Sequence, residues 1–77
     1  MGTRPQHAPA YKKLCRLLRD QRERSKFTIR ALAIELRKPY SYVSKVERGE
    51  RRIDPVEFVA WCRACGENPS EAIKSVG

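Results

Sequence analysis

The chain has 77 residues, enough for one domain whose high surface-to-volume ratio leaves it marginally stable alone and favours oligomerisation. Its 17 Lys and Arg against nine Asp and Glu give a net charge of +8 and a pI near 9.9, which points to an anionic partner such as nucleic acid. No apolar run suits a signal-peptide core or a bilayer span, and three cysteines are too few for a disulfide scaffold, so a reducing cytoplasm is expected.

Met1 to Ala8 is small, polar and without periodicity, and reads as a disordered leader before a domain at 9–77. Arg4 is a lone cation there, short of the several that a minor-groove arm uses, and His7, the only histidine, makes no site by itself. From Pro9 to about Ser25 the spacing predicts a first helix. Tyr11, Leu14, Cys15, Leu17 and Leu18 form its apolar stripe, and Lys12, Lys13, Arg16 and Arg19 its basic flank. A second helix runs from Thr28 to Arg37, with Thr28 placed to cap it and Leu32, Ala33 and Leu36 on one face. Pro39 disfavours helix at Lys38 and suits the first turn of a third helix, Pro39 to Arg48. Val43 and Val46 are its buried edge, and Gly49 supplies a left-handed stop. The other face of that helix carries Tyr40, Ser41, Ser44, Lys45 and Arg48. All are hydrogen-bond donors and none is acidic, as suits a helix entering the major groove. Tyr42 is expected to pack against the second helix or the backbone.

Asp54-Pro55-Val56-Glu57 combines a cap, a first-turn proline and a capping-box glutamate, and opens a fourth helix to Cys65. Ile53, Phe58, Trp61, Cys62 and Cys65 make its stripe, and Gly66 ends it. Asn68-Pro69-Ser70-Glu71 repeats the start signal for a short fifth helix with Ala72, Ile73 and Val76 as its apolar residues. Trp61-Cys62-Arg63-Ala64-Cys65 has the spacing of a redox Cys-x-x-Cys. That chemistry needs its first cysteine at a helix N-terminus, and here both thiols fall in a helix's second half, where the dipole raises their pKa. A zinc site would need His7 and Cys15 folded onto the pair. Core packing is therefore the reading for Cys62 and Cys65; neither a metal nor a cofactor is expected.

The stretch Thr28 to Gly49 resembles the helix-turn-helix of the Cro/C1-type (XRE) DNA-binding regulators. The resemblance rests on Leu32-Ala33, the run Ser41-Tyr42-Val43-Ser44-Lys45-Val46-Glu47-Arg48-Gly49-Glu50-Arg51-Arg52, and Ile53, and covers roughly residues 11 to 73. It implies an all-α, compact five-helix lambda-repressor-like domain with its helix-turn-helix at helices 2 and 3. It implies base contacts from Tyr40, Ser41, Ser44 and Lys45. It implies phosphate contacts from Thr28, Arg30, Arg37, Lys38, Arg48, Arg51 and Arg52, and an Arg22–Glu47 ion pair tying the first helix to the recognition helix. The chain departs from the family at two points. Ile29 stands where glutamine commonly reaches a phosphate, and Arg37 stands at the bend where glycine is usual.

The charge distribution agrees with that placement. Residues 1–26 hold eight Lys and Arg against two acids (+6), residues 27–52 seven against three (+4), and residues 53–77 two against four (−2). The expected function is sequence-specific double-stranded DNA binding by a transcriptional regulator, read as a repressor. The expected assembly is a homodimer through the acidic C-terminal third, with Val59, Ile73 and Val76 as exposed apolar residues, joined by partly exposed Phe58 or Trp61. The alternative is an antitoxin or adaptor-type protein-interaction module of the same fold. A membrane-surface helix is excluded because the apolar faces are needed for the core. An enzyme is not expected: there is no histidine pair, apolar carboxylate pair or glycine-rich phosphate loop.

Overall fold

Cap and stop signals alternate along the chain and divide it into five helices. The computed structural model describes residues 8–77, so the expected leader, with Arg4 and His7, lies outside the described residues apart from Ala8. The elements are α1 (Pro9–Arg24), α2 (Ile29–Leu36), α3 (Tyr40–Glu47), α4 (Pro55–Ala64) and α5 (Pro69–Ala72), closed by a 3₁₀ turn at Ile73–Ser75. There is no strand among the described residues.

Each start has a local cause. The Thr28 hydroxyl accepts from the Ala31 amide at 3.0 Å and caps α2. Asp54 and Glu57 form the full capping box of α4, the Asp54 side chain accepting from the Glu57 amide at 2.7 Å and Glu57 from the Asp54 amide at 3.1 Å. Asn68 accepts from the Ser70 and Glu71 amides and starts α5. Pro39 stands one position earlier than the sequence suggests. It is the N-cap of α3, extended at ψ 152°, and its carbonyl accepts the Tyr42 amide that begins the helix.

The ends of α1 to α4 share one closing geometry. In each, two successive amides turn back to carbonyls of the last turn around a left-handed residue: Lys26, Arg37, Gly49 and Gly66, with φ between 57° and 76°. Two of these are glycines, where that φ is free of steric cost. Lys26 and Arg37 bear a cost of roughly 1–2 kcal/mol each.

The core lies where α1, α3 and α4 meet behind α2. Leu18, Leu32, Val43, Val46, Trp61 and Cys62 are fully enclosed. Trp61 anchors it: its indole N–H donates to the Leu18 carbonyl at 3.1 Å, and its ring meets Tyr42 at 6.2 Å and a 51° tilt. Trp61 and Phe58 are therefore interior, and the expectation that they contribute exposed area to a partner surface is corrected. Of the other expected apolar residues, Val59 and Ile73 are exposed and Val76 is half-buried. Gln21 is an unforeseen member of the core. It is fully buried on the apolar side of α1, donating to the Cys62 sulfur at 3.3 Å while its carbonyl oxygen has no partner among the described residues.

Candidate nucleic-acid interface

α3 presents its outer face because its inner face is fully committed. Tyr42, Val43 and Val46 are buried, and between them the chain turns Tyr40, Ser41 and Lys45 to solvent, with Ser44 half-buried. The helix is fixed at its far end by Arg22. The Arg22 guanidinium donates to both Glu47 carboxylate oxygens, at 2.6 and 3.2 Å, and to the Phe27 carbonyl at 3.0 Å. With side-chain exposures of 12% and 8%, the two charges are largely out of water. Such a pair adds little net stability, because desolvation offsets the attraction, but two parallel bonds in fork geometry set an angle. α1, the bend at Phe27 and the end of α3 are thereby held in one arrangement.

The expected phosphate-contacting residues divide into groups. Lys38 and Arg51 meet over the Tyr42 ring, at 5.1 and 4.7 Å from its centroid, and both are drawn to Glu57. Arg51 binds its carboxylate through two nitrogens at 3.1 and 3.2 Å, and Lys38 lies 3.5 Å away. With Pro39, Ser41 and Lys45 these residues line a cleft of about 360 Å³ beside the start of α3. Arg30 stacks over Tyr40 at 5.2 Å, on the outer edge of the same helix. Arg37 occupies the left-handed bend itself. Arg48 is paired with Glu50 on the surface. Arg52 faces the other way, over Tyr11 at 4.7 Å, beside a second, apolar groove. The Thr28 hydroxyl accepts the Ala31 amide as a helix cap on an exposed residue, which leaves its own hydrogen free to donate.

The environment sets the charge states. Arg51 first, then the Asp54 amide, hold the Glu57 carboxyl below the usual carboxylate range, so it is an anion at neutral pH. Burial first, and then the negative Glu57, push the Tyr42 phenol up to about 12, so it keeps its proton and can donate. Burial also pushes the thiols of Cys15, Cys62 and Cys65 up, which makes them poor nucleophiles and poor metal ligands. Among the described residues no three His, Cys, Asp or Glu side chains are grouped to hold a metal.

A family model described as a helix-turn-helix domain matches residues 4–72 of the chain. The chain belongs to that family. A solved structure described as an XRE-family like protein from Pseudomonas syringae pv. tomato str. DC3000 superposes with a TM-score of 0.82 at 37% identity, over 87% of this chain and 82% of that one. The curated proteins hold no match to the chain. The protein is thus a DNA-binding regulator domain of XRE type, with α2 and α3 as its helix-turn-helix.

Within this XRE-type domain two residues of the interface escape a reading of the sequence. Glu57 shows there only as a capping-box residue, yet its carboxylate also gathers Arg51 and Lys38 from two other segments. Tyr42 shows only as a packing residue, yet one side of it lines the cleft. The signal for Tyr42 was its neighbourhood: an aromatic ring in a run holding Lys38, Lys45 and Arg51. For Glu57 no local signal existed, because the contact to Lys38 spans 19 positions of sequence.

Proposed function

We propose that the protein binds double-stranded DNA as a homodimer, lays α3 in the major groove, and regulates transcription by occupying an operator. The observation that carries this reading is the outer face of α3. It offers Tyr40, Ser41, Ser44 and Lys45 without a carboxylate among them, on a helix whose angle is fixed by Arg22 and Glu47. A major groove about 12 Å wide accepts such a helix. Lys45 donates to guanine O6 or N7, Ser41 and Ser44 to base edges, and Tyr40 packs on a thymine methyl. Arg30, Arg37, Lys38, Arg48 and Arg51, with Thr28, are assigned to the sugar-phosphate backbone, where they set affinity and salt dependence and carry no base information directly; Arg52, turned toward Tyr11, is left out of that set. Repression is the simplest consequence, since a bound dimer excludes other proteins from the same sites.

The test is a selection from genomic fragments with purified protein at two salt concentrations, repeated with Lys45→Ala. The expected result is one two-fold symmetric motif that survives the higher salt. Lys45→Ala should lose that motif while keeping salt-sensitive retention of unrelated DNA. Retention that is sequence-blind for the wild type at both salts would rule out operator reading by α3.

A further inference from the structure

The cleft between Lys38 and Arg51 is lined by three cations, two hydroxyl-bearing side chains and no carboxylate. Its parts are already in place. Arg51 spends one Nη1 hydrogen on the Arg52 carbonyl at 2.9 Å and its outer Nη1–Nη2 edge on Glu57. A guanidinium has five N–H donors, so the Nε–H and the second Nη2–H, which form its other fork edge, have no partner among the described residues. The Tyr42 hydroxyl likewise makes no hydrogen bond among them, although the residue as a whole is buried. It is absent from the sealed, unpartnered atoms, so the oxygen itself reaches solvent. A neutral hydroxyl and a cationic fork edge, both without acceptors, thus stand at one basic cleft beside the start of α3.

We propose that this cleft is a preformed seat for a single phosphate group. The Tyr42 hydroxyl donates to one phosphate oxygen, the free edge of Arg51 engages the phosphate as a fork, and Lys38 supplies a further positive charge. Lys45 and Ser41 stand on the rim, between the seat and the exposed face of α3. Glu57 is a positioning residue: by holding the far edge of Arg51 and the ammonium of Lys38 it orders both before the anion arrives. The phenol of Tyr42 stays protonated throughout the physiological range, so its donor is always available. The natural occupant is a backbone phosphodiester next to the base pairs that α3 reads, an identification that rests on the DNA-binding reading above. The seat itself recognises only phosphate chemistry, and a free phosphate-bearing molecule shares that chemistry.

The experiment compares wild type, Tyr42→Phe and Lys38→Gln for binding of a short fluorescent duplex across a salt series. In parallel, amide shifts are followed on titration with inorganic phosphate against chloride at matched ionic strength. Tyr42→Phe removes an oxygen with no partner among the described residues and should leave the melting temperature within a few degrees of wild type. It should lower duplex affinity about five- to tenfold with the salt slope unchanged, because no charge is lost. Lys38→Gln should lower the slope by about one. This pair of signatures separates a neutral donor to phosphate from a mere stacking platform. If Tyr42→Phe melts early, Arg51→Lys takes its place: it keeps the charge, loses the fork, and should show the same loss at constant slope. Wild-type affinity in these variants overturns the seat. If the wild type binds no duplex, yet inorganic phosphate shifts residues 38–45 and Tyr42→Phe weakens that response, the seat stands for a free anion and the DNA reading falls. No response of either ligand to Tyr42→Phe overturns the proposal.

Discussion

Glu57 does three jobs with one carboxylate: it completes the capping box of α4, forks with Arg51 and attracts Lys38. The first job needs only an acceptor oxygen, and the other two need charge, so Glu57→Gln separates them. Glutamine keeps an acceptor for the Asp54 amide and loses the ion pairs. Because the folded protein holds this carboxyl below its ordinary range, the folded state binds fewer protons than the unfolded one in the window between the two pKa values. The stabilisation is therefore present above the ordinary carboxylate range, near pH 4–5, and is lost as pH falls through the lower folded value. Arg51 is 43% exposed, so screening limits the effect to about 0.5–1 kcal/mol. Thermal melts should place wild type a few degrees above Glu57→Gln at pH 7, with the two converging as pH drops below about 4. A gap that stays constant down to pH 3 would assign the stability to shape and not to charge.

The helices and their order were legible because they are written locally. The Asp54–Glu57 box, the Asn68 cap, Gly49 and Gly66 each announce a boundary within four residues. What the sequence hides is set by distant chain. The left-handed turn at Lys26 has neither glycine nor proline to mark it, and it forms because Phe27 is half-buried against the core while Arg22 holds the Phe27 carbonyl. Gln21 reads as a surface residue until α4 brings Cys62 beside it. On the interface the same division holds: α3 and its outward donors were visible, whereas the joining of Lys38, Arg51 and Glu57 over Tyr42 belongs to tertiary structure. Arg37 lies between the two cases. The approach to Pro39 shows that the chain must bend there, but a guanidinium at φ 57° is an uncommon way to do it. If stability alone mattered, glycine would serve better. Arg37→Gly should raise stability by about 0.5–1 kcal/mol, the relief of left-handed strain less the extra freedom of the unfolded glycine. The same change should weaken duplex binding and lower its salt slope by about one, since the guanidinium is assigned to a phosphate. Lys26→Gly, at the other basic turn, is the control: a similar gain in stability with DNA binding nearly unchanged. Equal effects of both on DNA would mean that Arg37 contributes only general positive charge.

At the scale of the molecule, charge and apolar surface are separated along the chain. The first 52 residues carry the positive balance, and the last 25 are mildly acidic. That acidic third also holds the exposed apolar residues Val56, Val59 and Ile73. Val59 and Ile73 border a groove of about 610 Å³ walled by Leu14, Ile53, Phe58 and Pro69. Two copies with this charge would repel through their basic faces, so the proposed homodimer joins the acidic thirds and keeps both α3 helices outward. The dimensions agree: the protein measures 38 × 26 × 20 Å, and half-sites one helical turn apart lie about 34 Å from centre to centre. Val59→Asp tests this arrangement. Val59 is 36% exposed in the monomer, so its replacement costs the fold little while placing two carboxylates in the proposed interface. Sedimentation should show the variant as a monomer at concentrations where the wild type is dimeric. Its affinity for a duplex with two half-sites should fall by about tenfold or more, as the second binding event loses its tether. Affinity for a single half-site should not change. If Val59→Asp instead assembles like the wild type, the contact lies elsewhere, and Ile34, 72% exposed on α2, is the next apolar residue to charge.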